Sequence, residues 1–108
     1  MAADDSGSFT VELTRQAEKD LKKYRAHRAR VIAELSSLEQ TPFAGHTLAG
    51  SLRGVRSLEF SLPDGAHRAG YYVMVDDQVC LVFAIGPREN FYKEAQRRYD
   101  AIRRTAPP

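Results

Sequence analysis

The sequence predicts an α+β domain: an N-terminal strand, a helical hairpin packed on a small, mostly antiparallel four-stranded sheet, and a C-terminal helix. Three observations carry this. Apolar spacing is helical over residues 15–40, changes to a period of two from Gly54, and becomes helical again from Asn90. The order is β-α-α-β-β-β-α, and helices and strands that come in blocks segregate to a helical layer and an antiparallel sheet. At 108 residues the chain can build one core. We expect that domain over residues 9–104, with residues 1–8 and 105–108 as disordered termini.

Each element has a local reason. Phe9, Val11 and Leu13 alternate with Thr10 and Glu12, a short strand with one buried face. Thr14 is a natural N-cap for a helix carrying Ala17, Leu21 and Tyr24. Residues 26–40 continue with Ala29, Ile32, Leu35 and Leu38, until Pro42 disfavours the helical region for Thr41. Residues 43–50 read as loop. From Val55 to Leu62, Leu58, Phe60 and Leu62 share one face while Ser57, Glu59 and Ser61 share the other. Pro63-Asp64-Gly65-Ala66 is a hairpin turn. Tyr71–Val75 is the returning strand, and Val79–Ile85 is an almost wholly apolar central strand bounded by Gly86-Pro87. Residues 90–104 form the last helix, with Phe91, Ala95, Arg98 and Ile102 along one side.

With Asp64-Gly65 as a two-residue loop, paired positions sum to 129, so Ser61 faces Arg68 and Glu59 faces Gly70. Leu58, Phe60 and Leu62 must lie under the helices, which turns Glu59, Arg68 and Tyr72 to the opposite face. Glu59 and Arg68 become diagonal neighbours within reach of an arginine. Composition alone leaves this pair either a surface ion pair of well under ~1 kcal/mol or part of a site.

Composition narrows the class. With 43% hydrophobic and 28% charged residues the chain matches a globular domain, and its longest apolar run, seven residues, is far short of a membrane span. Residues 1–8 are acidic and polar, without the basic start and apolar core of a secretory signal. The single cysteine, Cys80, cannot form an internal disulfide, so the expected location is the cytoplasm. Seven basic residues against two acidic between Thr14 and Arg30 make a local charge of +5, which fits a polyanionic partner as well as a solvated helix face. There is no glycine-rich phosphate loop, metal-ligand cluster or nucleophile elbow, and we expect neither metal nor cofactor.

Taken together, the β-α-α-β-β-β-α order, Leu48-Ala49-Gly50-Ser51-Leu52-Arg53-Gly54, His67-Arg68-Ala69-Gly70-Tyr71-Tyr72, and Ile85-Gly86-Pro87-Arg88-Glu89-Asn90-Phe91-Tyr92 resemble the RelE/ParE superfamily. These are toxins of bacterial type II toxin–antitoxin pairs, and the resemblance runs from Phe9 to Ile102. Residues 46–56 look most like the YafQ branch, while Thr41-Pro42-Phe43-x-Gly45 resembles the YoeB branch. The resemblance implies a RelE-like fold, a cognate antitoxin as partner, and a ribosome-dependent mRNA endoribonuclease that inhibits translation. Carried over by position, His46 matches a catalytic histidine of the YafQ type, and Arg68 matches the phosphate-stabilising arginine. Arg88 stands where RelE has an arginine, Tyr92 where it has its catalytic tyrosine, and Asp64 near an acidic residue implicated in YafQ. Ser57 and Glu59 occupy the strand where RelE carries two lysines, and YafQ has a histidine in place of Glu59. YoeB's catalytic glutamate belongs to a loop that is shorter here.

Such a nuclease would need no metal, because RNA supplies its own 2′-hydroxyl nucleophile. Glu59 or His46 would act as base, Tyr92 or His46 as acid, and Arg68 and Arg88 would neutralise the phosphorane. Arg53, Arg56, Lys22, Lys23, Arg25, Arg28 and Arg30 are the expected RNA contacts. Two alternatives stay open: a ParE-like inhibitor of DNA gyrase without nuclease activity, and a degenerate antitoxin-binding module.

Overall fold

The computed structural model describes residues 8–48 and 50–105, with Ser51 and Thr105 described by their backbone alone. The termini expected to be disordered thus fall, at 1–7 and 106–108, outside the described residues, as does Ala49 of the loop motif. Thr105, assigned to the tail by sequence, closes the last helix.

The elements are β1 (Thr10–Leu13), α1 (Arg15–Lys22), α2 (Arg28–Ser36), β2 (His46–Thr47), β3 (Arg56–Leu62), β4 (Gly65–Met74), β5 (Val79–Pro87) and α3 (Phe91–Thr105). Short 3-10 turns at Arg25–His27, Ser37–Glu39 and Gly50–Leu52 join them. The Thr14 hydroxyl accepts from the Ala17 N–H at 3.2 Å, the cap the sequence predicts. The second helix is shorter than expected: a 3-10 turn stands on either side of α2. Ser37 donates its hydroxyl back to the Glu34 carbonyl at 2.6 Å, the local side-chain competition that ends helices.

The sheet has five strands, in the order β1-β5-β4-β3-β2, with β1 parallel to β5 and every other pair antiparallel. The strand beyond the expected four is β2, inside the segment expected to be loop. Two residues are too few to show a period, and β2 forms because its approach is pinned from outside. The buried Tyr71 hydroxyl donates to the Pro42 carbonyl and accepts from the Gly45 N–H, both at 2.9 Å. Arg56 donates to the Phe43 and Gly45 carbonyls at 3.0 and 2.7 Å.

The β3–β4 register corrects the expected one. Paired positions sum to 127, with Leu62 opposite Gly65 and Glu59 directly opposite Arg68. Pro63 and Asp64 are therefore the central turn residues. Neither has a positive φ, so the turn is not the mirror-image type that Asp-Gly favours; proline at the first central position and glycine at the fourth suit an ordinary type I turn. Because the displacement is two residues, every side chain keeps its predicted face.

Helices cover both faces. On one, Leu21, Val31, Leu35 and Leu38 of the helical hairpin and the turn after it bury Phe60, Ala69, Tyr71 and Val82. On the other, Phe91 and Ala95 of α3 pack on Val55 and Phe83. Gly70 gives that approach room, since a Cβ there would stand 3.2 Å from the tip of the Phe91 ring and push it back by a few tenths of an ångström. No helix of the described residues is long and apolar enough to cross a membrane.

Candidate active site

The face left partly open by α3 carries Glu59, Arg68 and Tyr92. Pairing across three strands lines up Glu59 of β3, Arg68 of β4 and Gly86 of β5 in one row. The Arg68 side chain is only 13% exposed, and its Nη2 lies 3.8 Å from Glu59 Oε1, an ion pair too long for a hydrogen bond. From the first turn of α3, Tyr92 closes over it. Arg68 Nη1 donates to the Tyr92 hydroxyl, and the guanidinium carbon sits 4.9 Å from the ring centroid, a cation–π contact. Arg68 Nε–H is buried and has no acceptor among the described residues. Beside it, a Cβ on Gly86 would meet nothing within 4 Å. The result is a charged, half-buried planar donor with an open floor on one side, a carboxylate on the other and a phenol above.

The remaining sequence-predicted residues divide. His46 is exposed on β2, opposite Ser57, and so shares the face of Glu59 and Arg68. Two strand spacings and one pleat repeat put its Cα about 12 Å from that of Arg68. The buried Ser57 hydroxyl between them has no partner among the described residues. Arg88 is exposed just beyond β5, its backbone N–H bonded to the Ala66 carbonyl. Arg56 lies on the opposite face, where it braces the loop before β2 and stacks on Phe43 at 5.0 Å. Arg53 is exposed after the 3-10 turn at Gly50–Leu52. Lys22, Lys23, Arg25, Arg28 and Arg30 are exposed along the helical hairpin, on the other side of the sheet from Arg68, with Arg30 paired to Glu34 at 3.2 Å. Asp64 also turns away from Arg68: its carboxylate meets His67 Nε2 at 2.8 Å, which holds its pKa below the usual range. His67 Nδ1 in turn meets the Tyr24 hydroxyl at 2.9 Å.

Two arrangements escaped the sequence reading. One is the Asp64–His67–Tyr24 chain just described, in which burial and the charge of Asp20 and Asp64 push the Tyr24 hydroxyl up to about 12. The other is a buried pairing of Asp20 on α1 with Arg98 on α3. A signal for it existed: each charge sits on the apolar stripe of its helix, Asp20 beside Ala17 and Leu21, Arg98 beside Ala95 and Ile102.

A helical hairpin on one face of a five-stranded sheet and a C-terminal helix on the other make a RelE-like α+β fold. Residues 11–96 match the family model of the ParE-like toxins of type II bacterial toxin–antitoxin systems, and the chain belongs to that family. Solved structures share the fold. The toxin–antitoxin complex RelBE2 from Mycobacterium tuberculosis aligns at 23% identity over 75% of this chain and 99% of that one, with a TM-score of 0.64. A variant of the Escherichia coli toxin RelE in the free state aligns at 18% identity over 92% and 99%, with a TM-score of 0.66. The YoeB/ParE toxin from Agrobacterium tumefaciens aligns at 22% identity over 74% and 99%, with a TM-score of 0.58. No curated protein matches the sequence.

Proposed function

We propose that this toxin is a ribosome-dependent mRNA endoribonuclease, which halts translation until a cognate antitoxin covers it. The observation that carries the reading is the state of Arg68: a planar cation fixed between Glu59 and Tyr92, with a buried, unused Nε–H beside the open floor at Gly86. A phosphodiester oxygen fits that donor, and a guanidinium can bind two oxygens at once.

The reaction needs no group from outside. A base takes the 2′-hydroxyl proton, the 2′-oxygen bonds to phosphorus, and the bond to the 5′-oxygen breaks as an acid protonates it. The products are a 2′,3′-cyclic phosphate and a 5′-hydroxyl. Glu59 and Tyr92 flank Arg68 on two sides and make the nearest base and acid, with Arg68 stabilising charge on the phosphorane. His46, farther along the same face, is the second candidate for either proton transfer. Arg88 adds positive charge at the open end. The exposed Lys22, Lys23, Arg25, Arg28, Arg30 and Arg53 supply long-range attraction to ribosomal RNA. The antitoxin partner follows from the family and from neighbours solved as toxin–antitoxin complexes.

The test is induced expression in a bacterium with primer extension on a reporter mRNA, wild type against Arg68→Ala. Codon-phased cuts that disappear in the variant support the reading. Toxicity without cuts would transfer the function to gyrase inhibition, and normal growth would leave an antitoxin-binding module.

A further inference from the structure

β1 stops at Leu13, opposite Val82, while β5 continues to Pro87. Beyond Val82 that edge of β5 has no neighbouring strand, and two side chains take its place. Asp20 Oδ2 accepts the Ile85 N–H at 2.9 Å, and Arg98 Nη1 donates to the Phe83 carbonyl at 3.1 Å. The two side chains also join fork to fork, Nη1 to Oδ2 at 2.6 Å and Nη2 to Oδ1 at 3.0 Å, while Arg98 Nε reaches Glu94 Oε2 at 2.7 Å. Both are nearly excluded from water, at 7% and 11% exposure. Pro87, at the end of the same edge, has no N–H to satisfy.

This arrangement fixes α3 in a way its apolar contacts cannot. Burial of Phe91 and Ala95 favours contact with the sheet but is non-directional. A bidentate pair tied to two backbone groups of one strand specifies both position along the helix and rotation about it. Tyr92 is six residues, about 9 Å, up the same helix from Arg98. The β5 segment gripped by the pair is hydrogen-bonded on its other side to β4, with Gly86 opposite Arg68 and Ile85 opposite Ala69.

We infer that Asp20 and Arg98 are positioning residues: their pairing at the open edge of β5 holds α3 in the register that keeps Tyr92 on Arg68. The consequence for catalysis rests on the reading of Arg68 and Tyr92 as the reacting centre.

The Arg68 Nε–H resonance in a 15N-labelled sample reports the register, because the guanidinium carbon bonded to Nε lies 4.9 Å from the Tyr92 ring centroid, within range of the ring's effect on that proton's shift. Tyr92→Ala marks the unstacked position. Asp20→Asn keeps an acceptor for Ile85 but loses the charge, and Arg98→Lys keeps the charge but loses the fork. Each should move the resonance at least halfway to the Tyr92→Ala position. Each should also lower kcat for RNA cleavage by about tenfold to a hundredfold with little change in KM, the scale of a 1 Å misplacement. Leu38→Ala, which weakens the other helical layer, should leave the resonance where it is. A dispersed amide spectrum with the Arg68 resonance unmoved in either variant overturns the inference, and Arg98→Lys decides it should Asp20→Asn not fold. A moved resonance in a protein whose wild type cuts no RNA upholds the positioning and refutes the nuclease reading instead.

Discussion

Gly45→Ala is the sharpest test of how the face is assembled. Gly45 immediately precedes β2, and a Cβ there would stand 2.8 Å from the Tyr71 hydroxyl, 2.9 Å from its Cε1 and 2.9 Å from the Ser57 carbonyl oxygen. Contacts of this kind are comfortable at about 3.5–4.0 Å. The Ser57 oxygen belongs to the sheet backbone and Tyr71 has no exposed surface, so the loop must give way. Overpacking of this size costs about 1–3 kcal/mol. Movement also lengthens, without breaking, the Tyr71 bonds to Gly45 and Pro42 and the Arg56 bond to Gly45, a loss of about 1 kcal/mol over the three. The lower entropy of an unfolded alanine returns about 0.4–1 kcal/mol. The expected net loss is about 2–3 kcal/mol, or a fall in Tm of roughly 10–20 °C for a domain this size. Urea unfolding followed by circular dichroism, with unchanged m, measures it. Gly86→Ala is the control, since its Cβ would enter open space and stability should stay within about 0.5 kcal/mol. Equal midpoints for the two variants would refute the packing argument. Gly45→Ala should also accelerate amide exchange at Leu48, whose N–H bonds the Val55 carbonyl just past β2, before that of β4.

Three further outcomes follow from the electrostatics. Tyr24 titrates near 10 when unfolded and near 12 when folded, so the folded state keeps the proton longer. Its contribution is whole below pH 10 and disappears as pH rises toward 12; Tyr24→Phe should make the loss of stability between pH 9 and 12 shallower, and an identical slope would contradict the assignment. Glu94 is held below its ordinary value by hydrogen bonds from Arg97, then Arg98, so its contribution is present above pH 4.5 and lost as pH falls through the lowered value. Glu94→Gln should flatten the acid limb of the stability curve, as seen by Tm between pH 6 and 3. Replacing Lys22, Arg25 and Arg28 together with Glu should weaken ribosome co-sedimentation and reduce its salt dependence while Tm stays within a few degrees; unchanged sedimentation would remove the hairpin from the RNA-binding surface.

What the sequence made legible is what repeats. Alternation along residues 55–62 assigns Glu59 and Arg68 to one face, and that assignment survives an incorrect turn because strand side chains repeat every two residues. The turn itself went astray where two local preferences competed: Asp-Gly favours one pair of central residues, and Pro63 with its fixed φ favours the pair before it. β2 has no period to read, and its existence depends on Tyr71 and Arg56, which lie 25 and 10 residues beyond His46. The site shows the same division. Glu59 beside Arg68 is a register relation within one hairpin and could be written down before the fold. Tyr92 over Arg68 spans 24 residues and depends on where α3 lands, which in turn depends on Asp20 and Arg98, 78 residues apart. A charged residue on each of two apolar stripes announces that a buried partner is required, since an unpaired charge there is too costly; it does not say which. Helix placement, and with it the geometry around Arg68, is therefore written in pairings between distant elements, while each element alone is written in its spacing.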